Sequence, residues 1–458
     1  MAAERGTRIV VIGGGAAGMS AAASARRADS ECGITVVERG PYVSSAHCGI
    51  PYYISGLLED IRELTVYSPE YFERERRIRV MTHTRATMIE HSARRVIVRS
   101  VAQGNEESLG YDSLVLATGA RPIVPSLEGA DGLNVFTARN LEDAVKIRQY
   151  VDNNPAGTAV IVGGGWIGVI MGGALSSRGL EVVLLERTDS LLPGFDRSLS
   201  CACEEKLKEK GVKIRTGVSV TGLAKERSGL VSSVFFSGGA VKAGLVIMAA
   251  GVAPSSELFS AYGSKQKGAI EVNDLMKTGI EGIFACGDCA TAYHVVAARQ
   301  VYHPLGTTAN RQGRVAGANA AGRYSLFGGI AGTQALKVFD LEMARTGLSS
   351  AEAAMYGFKA FDVLTTSPSR ARYAPGGSLI TTMITVEQAT GRVLGAQMAG
   401  RESVAARIDA FVPIVSEGMT LQRAVELDMS YTPECSPLWD PVIYSLREAL
   451  RRHTQEHR

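Results

Sequence analysis

The chain's apolar positions gather into short continuous runs, and twice such a run feeds a glycine-rich turn. The first run covers 8–12, followed by Gly13-Gly14-Gly15-Ala16-Ala17-Gly18 and an alanine-rich segment over 19–27. A continuous apolar run bounded by turn residues reads as a buried parallel strand, and the segment after it as a helix. A second run, 34–37, ends in Glu38, twenty residues after Gly18. The pattern recurs as run 158–162, Gly163-Gly164-Gly165-Trp166-Ile167-Gly168, a helical segment, run 181–185, and Glu186 eighteen residues after Gly168.

Each copy is G-x-G-x-x-G in register with strand, helix, strand and acid, which is far more specific than the glycines alone. The first glycine permits a tight turn, the second lets backbone approach a pyrophosphate, and the third lets helix and strand pack closely. The helix N-terminus offers free N–H groups and a positive dipole end to phosphate. Glu38 and Glu186 stand where a ribose hydroxyl would be accepted. Two fingerprints predict two dinucleotide sites, and a hydride relay from a nicotinamide to a flavin accounts for both. Glu186 opposes a 2′-phosphate and favours NADH, while Arg187 beside it leaves NADPH open.

Residues 111–122 form a further apolar run with a small-residue turn, and 245–254 echo it. The repeat predicts that the second module is inserted into the first, with the chain returning at Gly282-Ile283-Phe284-Ala285-Cys286-Gly287-Asp288. Beyond Ser325 the fingerprints stop, β-branched and aromatic runs appear, and helical patterns follow at 404–417 and 421–427. The expected architecture is α/β: two Rossmann-like dinucleotide-binding domains, the second inserted in the first, plus a C-terminal α+β dimerisation domain. The boundaries read as 1–121 with 252–325, then 122–251, then 326–458.

Composition changes this picture little. A chain of 458 residues exceeds one core and fits several domains. A net charge of +3 without a Lys/Arg stripe gives no reason to expect nucleic acid. The start shows no signal-peptide pattern, and no apolar run reaches membrane-spanning length. The seven cysteines are irregularly spaced, as in reduced thiols. A cytoplasmic protein, away from membranes and nucleic acid, is the expectation. Residues 451–458 read as a solvated end.

The candidate chemistry lies at 43–53, where Ser44, His47 and Cys48 precede Gly49-Ile50-Pro51. A thiol is delivered there just downstream of the first fingerprint. No second cysteine stands a few residues away, so the oxidised form is expected to be a mixed disulfide with a small thiol, or a sulfenic acid. His47 is a candidate to orient substrate or to lower the thiol's pKa as a cation. Cys201-x-Cys203 lacks zinc spacing, and the Gly-Asp inside Cys286-x-x-Cys289 is accounted for by flavin binding, so no metal is expected. Cys435, four residues after Tyr431, is a further thiol to watch.

These residues resemble the pyridine nucleotide-disulfide oxidoreductases. The two fingerprints, Ser44-x-x-x-Cys48-Gly49, Ala117-Thr118-Gly119, Ala285-Cys286-Gly287-Asp288, Lys337-Val338-Phe339-Asp340 and Ala344-Arg345-Thr346-Gly347 occur in the family's order. The single-cysteine branch is nearest: coenzyme A disulfide reductases, NADH oxidases and peroxidases, and persulfide reductases. The resemblance implies FAD in the first site, NADH or NADPH in the second, and a homodimer. It places FAD contacts on Gly13, Gly15, Ala16, Ala17, Gly18, Glu38, Arg39, Val80, Ala117, Thr118, Gly119, Arg121, Gly287, Asp288, Leu305, Gly306 and Thr307. Nicotinamide-dinucleotide contacts fall on Gly163, Gly165, Trp166, Ile167, Gly168, Glu186 and Gly251. The redox nucleophile falls on Cys48, and coenzyme A contacts on Ser20, Ser24, Arg27, Ser44, His47 and Arg76. Tyr373 and Tyr431 match tyrosines that assist from the partner subunit.

Three positions depart from the pattern: Ile170 replaces a glutamate near the nicotinamide, Trp166 an aromatic gate that is commonly tyrosine, and Trp439 a coenzyme A-binding lysine. The expected activity is NAD(P)H-dependent reduction of a small disulfide or persulfide through Cys48, coenzyme A species among them. Two alternatives stay open. One is an NADH oxidase or peroxidase using the same thiol as a sulfenic acid. The other is a flavin-bound protein with little turnover, which Ile170 keeps in play.

Overall fold

The computed structural model describes residues 6–155, 157–263 and 265–456; the polar start 1–5 and the last residues of the tail, 457 and 458, lie outside. A five-stranded parallel sheet is drawn from distant parts of the chain. Its order is Ile283–Ala285, Ser113–Leu116, Arg8–Ile12, Gly33–Val37, Ile78–Met81. The central strand is buried on both faces, which explains why it reads as an unbroken apolar run. Helix Ala16–Ala28 packs against helix Gly306–Ala320 at glycine distance. A Cβ at Gly313 or Gly317 would lie 2.2 or 1.9 Å from the carbonyl oxygens of Ala17 and Ala21.

The second parallel sheet repeats the device, in the order Lys213–Arg215, Glu181–Leu185, Thr158–Val162, Leu245–Met248, Val135–Thr137. It is inserted in the first module. The outgoing crossing Ala120–Pro122 and the returning crossing Val252–Pro254 pair with each other as an antiparallel ribbon. Two three-stranded antiparallel sheets, over 84–110 and 220–242, have no counterpart in the sequence reading. The C-terminal unit is one antiparallel sheet, ordered Gln334–Val338, Leu341–Gly347, Val393–Gly400, Leu379–Glu387, Ala360–Pro368. Helices Val404–Ser416 and Pro441–Glu456 accompany it.

Of the end read as solvated, Arg451, Arg452, Thr454 and Gln455 are exposed, but helix runs to Glu456 and His453 is buried with Nε2 3.0 Å from the Gln388 carbonyl oxygen; upstream, Val442, Leu446 and Ala449 are fully buried. Apolar positions at helical spacing hold what looked like a free end. No helix among the described residues is long and apolar enough to cross a membrane.

One packing feature positions the candidate thiol. Directly after Cys48 comes the short helix Ile50–Ser55, started by Pro51 in its first turn and ended by Gly56 at φ +85°. Its Ile50 and Ile54 are buried in a cluster with Leu141, Ile147, Met171 and Leu175 of the inserted module. Arg148 of that module donates from Nη1 to the Tyr53 carbonyl oxygen at 2.5 Å and lies over the Tyr53 ring. Burying two isoleucines is worth about 2 kcal/mol each. The thiol-bearing segment of the first module is thereby keyed into the second.

Candidate functional site: two nucleotide cradles and one exposed thiol

The glycines of the first fingerprint divide into those the protein's own packing requires and one it does not. Gly13 has φ +106°, and a Cβ there would lie 2.2 Å from the Ala117 carbonyl oxygen; a Cβ at Gly18 would lie 1.8 Å from that of Gly13. At Gly15 a Cβ would meet nothing within 4 Å. Its bareness is explained by a group outside the chain, as a pyrophosphate cradle demands. Helix Ala16–Ala28 starts beside it with no side-chain cap, so its first N–H groups stay free for phosphate. The second copy matches: Gly163 has φ +112°, a Cβ at Gly168 would lie 1.9 Å from the Gly163 oxygen, and Gly165 is open.

The acids match too. Glu38 accepts from the amides of Gly14 and Gly40, both at 2.7 Å. Glu186 accepts from the Gly164 amide at 2.5 Å and from the Thr188 amide and hydroxyl at 2.7 and 2.8 Å. Each carboxylate thus braces its turn. Arg39 and Arg187 beside them are exposed.

Around the first cradle, Val80 is buried in the neighbouring strand, the Thr118 hydroxyl donates to the Ser255 carbonyl oxygen, and exposed Arg121 pairs with Glu257. Gly287 has φ +78°, and a Cβ there would lie 2.7 Å from Ala17 Cβ. Asp288 is held by Arg139 Nη2 at 2.7 Å. Arg139 belongs to the inserted module and was not singled out from the sequence; it also donates from Nε to the Ala120 carbonyl oxygen at 3.1 Å. The Tyr302 hydroxyl is buried without a partner near Asp288 and Arg139, and burial pushes its pKa up. Helix Gly306–Ala320 begins after Leu305 with no side-chain cap, its exposed Gly306 and Thr307 in the first turn. Orphan hydroxyl, uncapped helix and open glycine all fit a large polar ligand with a diphosphate.

The Cys48 loop is tied to the first cradle. Ser44 N donates to the Gly14 carbonyl oxygen at 2.8 Å, and Ser44 sits at φ +52°, unusual for a residue with a side chain. Val43 fills the space beside Gly14, and Ala46 N and Val66 N bond back across the loop to Leu64 and Ser44. Cys48 is exposed, ahead of helix Ile50–Ser55. His47 Nε2 is 3.0 Å from Ser45 Oγ. Burial, then the Arg139 charge, push its pKa down to about 4. Of the two roles open to His47, orienting substrate suits a neutral ring, and burial first, then the Arg139 charge, work against the cationic one.

The other thiols separate from Cys48. Cys286 and Cys289 are fully buried and burial raises both pKa values, so neither is an accessible nucleophile. Cys203 is pushed up to about 12 by burial, while Cys435 is exposed. Among the described residues no group of His, Cys, Asp and Glu is arranged to hold a metal.

Residues 7–313 match the family model described as pyridine nucleotide-disulphide oxidoreductase, and 333–441 that of its dimerisation domain. The chain belongs to the pyridine nucleotide-disulphide oxidoreductase family. It is 38% identical over 443 residues to the NAD(P)H coenzyme A polysulfide/persulfide reductase of Pyrococcus horikoshii, covering 96% of this chain and 98% of that one. The NADH oxidase of Methanocaldococcus jannaschii is 33% identical over 448 residues, covering 97% and 99%. A solved NAD-dependent persulfide reductase from A. fulgidus superposes with TM-score 0.94 at 37% identity, covering 98% of this chain and 84% of that one. This member is accordingly an FAD- and NAD(P)H-dependent oxidoreductase, and the open glycines, uncapped helix ends and orphan hydroxyl are what such cofactors need.

Within that family the substrate-side residues are placed unevenly. Ser20 Oγ accepts from Asn310 Nδ2 at 2.7 Å. The Ser24 hydroxyl is buried and donates to the Arg314 carbonyl oxygen at 2.7 Å, bracing two helices. Arg27 and Arg76 are exposed. Tyr373 and Tyr431 meet through their hydroxyls at 3.1 Å and are 77% and 47% exposed. Ile170 packs half-buried on the apolar cluster of the inserted module, and Trp166 leans on Phe195, ring centroids 5.8 Å apart. Ile167 joins the same cluster, and Gly251, at φ +106°, turns the chain after strand Leu245–Met248. Trp439 carries the Arg447 guanidinium over its ring at 3.9 Å.

His294 and His303 are likewise pushed down to about 4, by burial first and then by His303 and Arg345 respectively. With His47 they stay neutral in the fold but protonate near pH 6.5 when unfolded. Between those values the unfolded chain binds more protons, so stability falls as pH drops from 6.5 towards 4. Thermal midpoints should be level from pH 7 to 8 and decline below 6.5. Midpoints level down to pH 5 would contradict neutral histidines.

Proposed function

We propose that this oxidoreductase reduces a small-thiol disulfide or persulfide of the coenzyme A type through Cys48, as a homodimer. The observation that carries the reading is the exposed, solitary Cys48 on a loop bonded to the first cradle and keyed by its helix into the second module. The Pyrococcus relative's described substrate class supports it. The site residues and domain boundaries given by the sequence enter here as parts of this proposal.

Cys48 thiolate attacks one sulfur of RS–SR′, forming Cys48–S–S–R and expelling R′S⁻. With a persulfide RS–SH, attack on the inner sulfur gives the same adduct and expels hydrosulfide. When bound, FAD accepts an electron pair from NAD(P)H and makes it available to sulfur. Two electrons and a proton then return Cys48 to thiolate and free RSH. Neutral His47, oriented by Ser45, positions substrate as a hydrogen-bond partner. The Tyr373–Tyr431 hydroxyl pair, exposed on the unit matching the dimerisation domain, supplies a proton donor to the partner's thiolate. Glu186 favours NADH, with NADPH admitted by exposed Arg187.

The second reading is an NADH oxidase or peroxidase, supported by the Methanocaldococcus relative's description and by the same solitary thiol, which oxidises to a sulfenic acid. Intact mass before and after a thiol reductant separates the two. A reductant-released adduct on Cys48, with anaerobic NADH consumption requiring a disulfide, is the expected result. Oxygen-coupled NADH loss without any disulfide, and no adduct, would replace the reductase reading by the oxidase one.

A further inference from the structure

The loop after strand Glu181–Leu185 is built as the second module's counterpart of the Cys48 loop. Val43 fills the space beside Gly14, and Leu191 fills the space beside Gly164. Ser44 N donates to the Gly14 carbonyl oxygen at 2.8 Å, and Leu192 N to that of Gly164 at 2.8 Å. Ser44 and Leu192 share a left-handed φ, +52° and +54°. Cys48 leads into helix Ile50–Ser55, and Asp196 caps helix Arg197–Glu209, accepting from the Ser198 amide at 2.8 Å. In this correspondence Phe195 stands where the first module has His47. Each loop is bonded to the middle glycine of its fingerprint, so it borders the group which that fingerprint holds. Phe195 is buried, and Trp166, the first residue of helix Trp166–Ser177, leans on it with ring centroids 5.8 Å apart. The two rings form an aromatic wall beside open Gly165.

The loops differ in how they are held. His47 is bonded within its own loop, to Ser45, whereas the residues on either side of Phe195 are gripped by the C-terminal unit. Arg345 Nη1 donates to the Gly194 carbonyl oxygen at 2.6 Å, and Gln397 Oε1 accepts from the Asp196 amide at 2.7 Å. Arg345 and Gln397 are directly opposite each other on strands Leu341–Gly347 and Val393–Gly400, so they leave the sheet on one face. Both are buried. Arg345 is braced in turn by Glu352 and by the Gly347 carbonyl oxygen at 3.3 Å. Gly194 has φ +107°, and a Cβ there would lie 2.4 Å from Arg345 Nη1, so the grip requires glycine.

Ordinary packing between the units does not ask for this. Val338 already fills the space beside Gly173, and Lys206 pairs with Asp340 at 3.1 Å. Burying an arginine and a glutamine is costly unless their polar groups are bonded. Here both bond the backbone on either side of one phenylalanine. We propose that Arg345 and Gln397 are positioning residues of the nicotinamide-dinucleotide site, a clamp from the C-terminal unit that sets Phe195 and, through it, Trp166. The clamp acts on flavin reduction and not on the Cys48 half-reaction, so it holds for either reading of the thiol's chemistry.

The chain has two tryptophans, so Trp439→Phe leaves Trp166 as the sole fluorescent reporter of its kind. In that background Gln397→Met keeps the length of the side chain and removes the acceptor. Acrylamide should then quench Trp166 more readily, and anaerobic flavin reduction by NADH should slow about 10-fold. Reduction by dithionite should keep the native rate. Arg345→Lys, which leaves a cation for Glu352, should give the same pair of changes. Gln397→Glu, which keeps the acceptor, should restore both. A lower thermal midpoint with native quenching and native NADH reduction would overturn the clamp and leave a plain domain contact. Either change without the other would overturn it too. Should Gln397→Met and Arg345→Lys both fail to fold, the Trp439→Phe enzyme decides by itself. Saturating NAD⁺ should shield its Trp166 from acrylamide, and equal quenching with and without NAD⁺ would overturn the placement of the wall.

Discussion

Cys48→Ser should lose disulfide reduction by at least about 1,000-fold while NADH still bleaches the flavin anaerobically. The split follows from where the thiol sits. Cys48 is exposed, at the end of a loop bonded to the first cradle, whereas both cradles are built from residues that do not touch it. A serine keeps the loop's backbone bonds and the burial of Ile50 and Ile54, so folding and cofactor binding should persist. Its hydroxyl neither ionises near neutral pH nor forms a bond with sulfur that the electron pair can reopen. The check is stopped-flow absorbance for the first half-reaction and thiol release for the second. A variant that releases thiol at the native rate would remove Cys48 from the mechanism. Cys435→Ser is the companion measurement, since Cys435 is the other exposed thiol; loss of turnover there would make it a second electron carrier.

How far the sequence could be read depended on the range over which each signal acts. The two modules were legible because strand, glycine turn, helix and acid lie within about thirty residues of one another, and each glycine has a separate steric reason. The insertion followed from the echo between 111–122 and 245–254. The two small antiparallel sheets were not legible, because their strands mix exposed and buried positions without a firm alternation. The final helix was legible in principle: Val442, Leu446, Ala449 and His453 recur at helical spacing, but the charged ending obscured them.

The site divided the same way. Gly15, Gly165, Glu38 and Glu186 could be singled out because motif spacing carries them. Arg139 was not, since it meets Asp288 across 149 positions and across two modules. Arg139 also bears on His47, whose pKa is lowered by burial first and then by the Arg139 charge.

Gly15→Val and Gly18→Ala should fail for opposite reasons. At Gly18 the added methyl lies 1.8 Å from the Gly13 carbonyl oxygen and 3.3 Å from Ala117 Cβ, with nothing flexible to yield. The helix must move off the sheet, at a cost of about 3 kcal/mol or more. At Gly15 the backbone has φ −75° and ψ −165°, extended geometry a valine adopts readily, and its Cβ meets nothing within 4 Å. The fold should therefore stand, and the branched side chain should occupy the phosphate position. Gly15→Val should purify with little flavin and melt where the native apoprotein melts, since only the ligand's contribution is lost. Gly18→Ala should melt well below that apoprotein. The same substitution in the second cradle isolates the other cofactor. Gly165 is equally open, at φ −74° and ψ −170°. Gly165→Val should keep its flavin, lose reduction by NADH by about 100-fold or more, and remain reducible by dithionite. Flavin loss from Gly165→Val, or NADH reduction at the native rate, would show that the two cradles do not divide the cofactors between them in this way.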